Sequence, residues 1–208
     1  MNKKEIKRAV FAGSFDPFTI GHLDIVKSAS KIFDEVHVVI AVNPKKTRTF
    51  EAEEMAEGIL LTLMDECLLN CGVVIWPGLL AEYCADNDIK YIVRGLRNSM
   101  DYNYEENIAE VNKLINPDLE VVYLRAGHVA ISSSMVKELI QFDQDVSKYL
   151  PVPILCKVQP ENRPIESFLD FEYPEDYKEP DETEDDKFEE PQAKVFRRPN
   201  EEELKEDL

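Results

Sequence analysis

The chain has 208 residues, of which 44% are hydrophobic and 32% charged, a composition typical of a soluble globular protein. Its net charge of −18 is uneven: residues 159–208 hold 19 acidic and 7 basic side chains, against 23 and 17 in residues 1–158. This balance disfavours nucleic acid and membrane partners, although a local basic cluster can still bind a small anion. No apolar run has the length of a signal peptide or membrane span, so we expect a cytoplasmic protein.

The cysteines form no metal-binding pattern. The four of them, at positions 67, 71, 84 and 156, include no C-x-x-C pair and have no histidine at zinc spacing. We therefore expect reduced thiols without a metal, as in the cytosol. Because Cys67 and Cys71 are four residues apart, we expect them on one face of a helix.

Short apolar runs alternate with longer amphipathic ones over the first 158 residues. Runs rich in β-branched and aromatic residues predict strands at 9–12, 36–42, 73–76, 91–93 and 120–124. The segments between them predict helices at 22–33, 51–69, 79–87, 101–115 and 133–142. This order predicts an α/β fold, a doubly wound, Rossmann-like parallel five-stranded sheet covered on both faces. Ligands of such sheets bind at the carboxyl ends of strands, where the strand order reverses.

A different composition begins near residue 159. Residues 159–208 hold six of the chain's twelve prolines, few aliphatic side chains, and acidic runs such as 181–186. Such a segment buries too little apolar surface to offset the entropy of ordering. We therefore predict one domain over residues 1–158 and a mostly disordered acidic C-terminal tail over residues 159–208. Scattered aromatic residues leave open the alternative that the tail docks onto the domain or a partner.

The loop after the first predicted strand is the most distinctive segment. Gly13 permits close backbone approach, and Ser14 adds a hydroxyl. Gly21 and His22 open the next helix, whose free amides and positive dipole end favour phosphate. A Gly-Ser-Phe-Asp-Pro turn followed by Thr-x-Gly-His resembles the HxGH nucleotidyltransferases, with Thr19 in the place of the first histidine.

Cationic side chains follow two other strands. Lys45, Lys46 and Arg48 come after the second strand and form either a local anion site or a solvated basic loop. Arg94 and Arg97 come after the fourth strand, separated by a glycine and a leucine. Their guanidinium forks can meet separate phosphates, unless nearby acids pair with them.

Three consecutive serines, Ser132, Ser133 and Ser134, open the last predicted helix. One serine is enough to cap a helix, and capping alone is the structural alternative. Three hydroxyls together with free amides exceed that requirement and suit the β- and γ-phosphates of a nucleotide.

Over residues 1–158 these loops resemble the phosphopantetheine adenylyltransferases. The Arg94–Arg97 block, the acidic-aromatic segment up to Glu105 and the Ile-Ser-Ser-Ser-x-Val-Lys-Glu run match that family's signatures. The resemblance implies transfer of the adenylyl group of ATP to 4′-phosphopantetheine, which gives dephospho-coenzyme A and pyrophosphate in coenzyme A biosynthesis. We expect Mg²⁺ to be held mainly by phosphates and water, with no metal ligands from the protein, because the sequence offers no dedicated carboxylate cage.

The resemblance assigns roles to individual residues. His22 would stabilise the transition state, with Lys46 and Arg97 drawing off charge; Lys45 replaces Lys46 if the register shifts by one. The acceptor site would comprise Ser14, Lys46, Leu80 and Arg94. The ATP site would comprise Ser14, Phe15, His22, Gly95, Leu96, Arg97, Glu105, His128, Val129, Ala130, Ile131, Ser132, Ser133 and Ser134.

Some positions depart from the family pattern. Asn103 replaces an acid, which we interpret as a surface change, and Met55 replaces an arginine. Residues 128–130 replace a more aromatic run, so nucleotide affinity or regulation would differ if they line the adenine pocket.

The resemblance further implies a homohexamer and feedback inhibition by coenzyme A. Two alternatives stay open at this point. One is another HxGH transferase, acting on nicotinate mononucleotide or on glycerol phosphate with CTP. The other is a nucleotide-binding regulator without catalysis.

Overall fold

The computed structural model describes residues 5–96, 99–125, 127–128 and 130–162. Its centre is one sheet whose neighbouring strands are all parallel, in the order β3-β2-β1-β4-β5. The strands are β1 (Arg8–Gly13), β2 (Glu35–Ala41), β3 (Cys71–Trp76), β4 (Tyr91–Leu96) and β5 (Glu120–Arg125). This architecture confirms the predicted fold class.

Helices connect and cover the strands. They are α1 (Ile20–Ser30), α2 (Ala52–Asp65), α3 (Leu80–Asp86), α4 (Ser99–Ile115), α5 (Ser133–Gln141) and α6 (Val152–Val158). Within the described part of the chain, no helix combines the length and apolar character needed to cross a bilayer.

The two faces of the sheet bury separate cores because side chains alternate along each strand. Ala9 and Phe11 of β1 belong to the larger cluster, which includes residues of α1, α2 and α6. Val10 and Ala12 face the opposite side, in a smaller cluster with residues of α3. The sheet is therefore doubly wound, and its strand order reverses between β1 and β4, where a ligand crevice is expected.

Helix α6 is the element that the sequence did not predict. It is short and begins beside prolines, so its pattern is weak, and packing against α2 stabilises it instead. Ile154 and Leu155 are buried in the larger core. A Cβ at Gly58 of α2 would lie 2.7 Å from Cδ1 of Ile154, so glycine permits this close contact.

Two helices end earlier than predicted. Helices α1 and α2 end at Ser30 and Asp65. The predicted helices were too long because apolar residues of the following turns also pack on the core, which continues the helical spacing of apolar positions. The expectation that Cys67 and Cys71 share a helix face is wrong. Cys67 lies beyond α2 with a φ of 54°, and Cys71 begins β3.

The departures from the family pattern fall in different environments. Met55 is fully buried in the larger core, where its thioether fills apolar space. Asn103 is exposed on α4, in agreement with its interpretation as a surface change.

The packed chain continues to Gln159. Its side chain accepts a hydrogen bond from the Val146 amide and donates one to the Gln144 carbonyl, both 3.2 Å long. A 3₁₀ turn follows at Pro160–Asn162. The rest of the predicted tail lies outside the described residues, and the division between domain and tail stays a prediction.

Candidate active site

A cavity of about 320 Å³ lies at the carboxyl ends of β1 and β4, at the expected crevice. This volume suits a small-molecule site. The cavity brings together most of the residues predicted for the two substrates: Ser14, Phe15, His22, Arg94, Gly95, Glu105, His128, Ile131, Ser132, Ser133 and Ser134.

Four of the other predicted residues lie in the described part of the chain but do not line the cavity. Lys46 is exposed in a turn, where its amide donates to the Asn43 carbonyl at 3.0 Å. Leu80 packs against the smaller core at the start of α3. These two residues, with Leu96 and Ala130, are not among the lining side chains. Arg97 and Val129 lie outside the described residues.

His22 is held in one orientation by its backbone and ring contacts. The Thr19 amide donates to Nδ1 at 3.0 Å. Because an amide N–H can only donate, Nδ1 is an acceptor, and the proton of the neutral ring is on Nε2. The rings of Phe15 and Phe18 lie 5.1 and 5.5 Å from the imidazole, measured between centroids. A fixed Nε2 donor at the start of α1 is suited to stabilise an oxygen that gains negative charge.

Arg94 is paired inside the cavity. Its Nε lies 3.1 Å from Oε2 of Glu105. This contact is an ion pair without hydrogen-bond geometry. Nη1 of Arg94 donates to the Ala12 carbonyl at 2.9 Å. Both side chains of the pair are 19% exposed. The predicted alternative, in which a nearby acid pairs with the arginine, is therefore present, yet Arg94 still lines the cavity. A phosphate that enters can meet this guanidinium by displacing the carboxylate.

The serine run both caps α5 and lines the cavity. Ser132 is the N-cap and accepts a hydrogen bond from the Met135 amide at 3.1 Å. An accepting hydroxyl keeps its own hydrogen, so Ser132 can also donate to a phosphate oxygen. Ser133 donates to the Pro17 carbonyl at 2.8 Å, which leaves its amide as the group to meet an anion. Ser134 is exposed at the first turn. Capping and phosphate binding are compatible here.

The segment before the serines is held against α1. Nδ1 of His128 lies 2.5 Å from Oδ2 of Asp24, and the His128 side chain is half exposed. A Cβ built at Gly127 would lie 2.6 Å from the same carboxylate oxygen. Asp24 therefore fixes the position of a loop predicted to contact the nucleotide. The sequence offered no signal for this contact because the two residues are 104 positions apart.

Arg48 does not form an anion site together with the two lysines. Its Nη1 donates to the Ser14 carbonyl at 2.7 Å, and its Nε donates to the Phe50 carbonyl at 3.0 Å. Its guanidinium instead ties the loop after β2 to the loop after β1.

The described residues contain no cluster of three or more His, Cys, Asp or Glu side chains arranged to hold a metal ion. The predicted way in which Mg²⁺ binds stays a prediction.

A family model described as cytidylyltransferase-like matches residues 10–139, which include most of the sheet and the residues of the crevice, and places the chain in the nucleotidyltransferase class. The phosphopantetheine adenylyltransferase of Shouchella clausii is 39% identical to this chain over 151 residues, covering 72% of this chain and 94% of the relative. That of Heliobacterium modesticaldum is 40% identical over 152 residues, covering 72% and 89%. The chain belongs to the phosphopantetheine adenylyltransferase family.

A solved structure gives independent support for the fold. It is described as a nicotinate-nucleotide adenylyltransferase from Vibrio parahaemolyticus, and it superposes with a TM-score of 0.58 at 16% identity. The match covers 76% of this chain and 94% of the other. At this identity the likeness concerns the fold alone.

Proposed function

We propose that the protein transfers the adenylyl group of ATP to 4′-phosphopantetheine and releases pyrophosphate, a step of coenzyme A biosynthesis. One observation carries the proposal: His22, Arg94 and the start of α5 face a single cavity. Two phosphorylated substrates need cations and free amides at separate points of one site. The names of the relatives supply the identity of the acceptor.

The reaction is a direct displacement at the α-phosphorus of MgATP. A 4′-phosphate oxygen of the acceptor forms the new P–O bond, and the bond to the bridging oxygen of the β-phosphate breaks. Since two polyanions must approach each other, positioning and charge neutralisation supply most of the catalysis. Nε2–H of His22 donates to the α-phosphate as its oxygens gain charge. Arg94 receives the acceptor phosphate.

The donor phosphates fit the start of α5. Its free amides and the Ser132 hydroxyl meet the β- and γ-phosphates, where the positive end of the helix dipole adds stabilisation. Mg²⁺ enters as MgATP, bound by phosphates and water.

Lys46 and Arg97 complete the proposed charge neutralisation. Lys46 is exposed on the loop after β2, and we assign its ammonium to the substrate phosphates at this edge of the sheet. Lys45 occupies the same turn and is the alternative. Alanine substitution of each lysine separates the two: loss of the phosphate-binding lysine lowers turnover, and loss of the other does not.

The proposal includes assembly into a homohexamer in the cytoplasm, with coenzyme A as a feedback inhibitor. Helix α4 exposes Val111, Leu114 and Ile115, and Leu114 is 83% accessible. An apolar face of this kind favours contact with another copy of the chain. Light scattering coupled to size-exclusion chromatography gives the oligomeric state, and coenzyme A titrated into the assay gives the inhibition.

An acceptor panel tests the activity. Purified protein is incubated with MgATP and 4′-phosphopantetheine, nicotinate mononucleotide or no acceptor, and the products are measured by mass spectrometry. We expect dephospho-coenzyme A and pyrophosphate from the first reaction only. Adenylylation of nicotinate mononucleotide alone would contradict the proposal, and MgATP binding without pyrophosphate release would favour the regulator.

A further inference from the structure

A buried carboxylate connects three segments around the cavity. Asp16, in the loop after β1, is 6% exposed. Its Oδ1 accepts hydrogen bonds from the amides of Phe50 at 2.9 Å and Thr49 at 3.1 Å, in the loop after β2. Its Oδ2 accepts one from Nζ of Lys137 at 2.8 Å, in the second turn of α5. The three segments are distant in sequence and meet at this side chain.

Two other side chains join the same segments. Nη1 of Arg48 donates to the Ser14 carbonyl, and Oγ of Ser133 donates to the Pro17 carbonyl. Two side chains, Asp16 and Arg48, therefore tie the loop after β1 to the loop after β2, and two, Lys137 and Ser133, tie it to α5. A connection repeated in this way restricts how far the segments can move relative to one another.

Asp16 is charged at neutral pH despite its burial. Burial opposes ionisation, but the hydrogen bonds from Lys137, Phe50 and Thr49 outweigh it and hold the pKa of this carboxyl below its usual range. Hydrogen bonds to a carboxylate are about twice as strong as neutral ones.

We propose that Asp16, paired with Lys137, is a positioning residue that sets the distance between the start of α5 and the loop after β1. The proposal rests on the proposed adenylyl transfer. Neither residue is among the side chains that line the cavity, so both act through their neighbours. Ser14 and His22 follow β1, whereas the serine run opens α5. The pair thus controls how the reacting groups of the two substrates are aligned.

Loss of the pair should affect turnover more than affinity. Each substrate keeps its own contacts, but the α-phosphorus and the attacking oxygen are no longer held at the reacting distance. A displacement of about 1 Å far from the chemistry lowers rates on the order of a hundredfold.

Two substitutions break this connection from opposite ends. Asp16→Asn keeps an oxygen for the amides of Thr49 and Phe50, but presents an NH₂ group to the ammonium. Lys137→Met keeps the aliphatic stem and removes the charge. The matched control is Lys157→Met, which removes the 2.7 Å ion pair to Glu57 between α2 and α6, away from the cavity.

The experiment measures kcat and both KM values by pyrophosphate release, with thermal unfolding to verify folding. We expect each variant to lose about 10- to 100-fold in kcat, with KM values within about threefold of wild type. The double variant should be no worse than the more severe single one, because both remove one interaction. Lys137→Arg, which retains the charge, should keep most of the turnover. The control should stay within about twofold of wild type.

Several outcomes would overturn the proposal. They are a folded Lys137→Met with wild-type kcat, a rise in KM at unchanged kcat, or losses that add in the double variant. If Asp16→Asn fails to fold, Lys137→Met and Lys137→Arg still decide the question, because the Lys137 side chain is 31% exposed and its replacement does not remove the amide hydrogen bonds to Asp16. A wild-type protein that releases no pyrophosphate would instead contradict the proposed function itself.

Discussion

Nε of Arg94 and a carboxylate oxygen of Glu105 lie 3.1 Å apart within the cavity. This pair connects a residue expected at the acceptor phosphate with one expected at the nucleotide. With the roles proposed for these residues, the acceptor phosphate competes with Glu105 for the guanidinium, which couples the two substrate sites electrostatically.

Glu105→Gln should therefore change the two KM values in opposite directions. The neutral amide competes less for Arg94, so we expect the KM for phosphopantetheine to fall by about fivefold, equivalent to about 1 kcal/mol. The KM for ATP should rise, since the nucleotide loses a carboxylate contact. Steady-state kinetics with each substrate varied in turn measures both. Glu106→Gln is the matched control, because Glu106 accepts from the Tyr123 hydroxyl and is not among the lining residues. Parallel changes in both KM values would contradict the coupling.

His22→Ala should lower kcat by a few powers of ten, about 3–5 kcal/mol at 1.36 kcal/mol per decade. The variant loses the oriented Nε2 donor, whereas the contacts that bind the two substrates remain. KM values should change much less than kcat. Thr19→Ser keeps the amide that orients the imidazole and serves as the control. Wild-type turnover of His22→Ala would remove this histidine from the mechanism.

Gly127→Ala should weaken ATP binding, because its Cβ would lie 2.6 Å from Oδ2 of Asp24 and displace the loop that carries His128. Asp24→Asn should act in the same direction by removing the charge that holds the imidazole. We expect the dissociation constant for MgATP to rise by about 3- to 10-fold, with KM for the acceptor unchanged. Titration of the variants with MgATP in a calorimeter measures the first, and steady-state kinetics with the acceptor varied measures the second. Unaltered ATP affinity in both variants would show that the loop does not contact the nucleotide.

Asp16 should make the stability of the protein depend on pH. Its pKa is lower in the folded protein than its ordinary value of 3.8. The stabilisation is therefore complete above that ordinary value and is lost as the pH falls through the folded value. Urea unfolding of wild type and Asp16→Asn should differ most above about pH 5 and converge in acid. Exposed Asp118 provides the control, since Asp118→Asn should leave the curve unchanged. A difference that grows in acid would contradict this assignment.

Sequence patterns predicted those parts of the structure that local physics determines. The strands could be predicted because both faces of the sheet are buried, which makes each strand a continuous apolar run. His22 could be predicted as a site residue because a glycine and a histidine open a helix directly after a strand. Helix α6 was missed because tertiary packing, rather than a helical pattern of its own, stabilises it.

Contacts between distant segments could not be predicted in this way. The Asp16–Lys137 pair spans 121 positions, and the guanidinium of Arg48 meets carbonyls 33 and 34 positions away. In the sequence, Arg48 was grouped with Lys45 and Lys46 because the three lie within four positions. A basic cluster of this kind does not show whether its side chains bind an anion or donate to the backbone of a neighbouring loop.

In the proposed reaction the two substrates meet at the cavity between β1 and β4 and react directly, without a covalent enzyme intermediate. The configuration at the α-phosphorus tests this direct transfer. With ATP carrying a chiral α-thiophosphate as donor, one in-line displacement predicts a product whose phosphorus is inverted, as read by ³¹P nuclear magnetic resonance. Retention would require two displacements through an adenylylated protein side chain and would contradict the account.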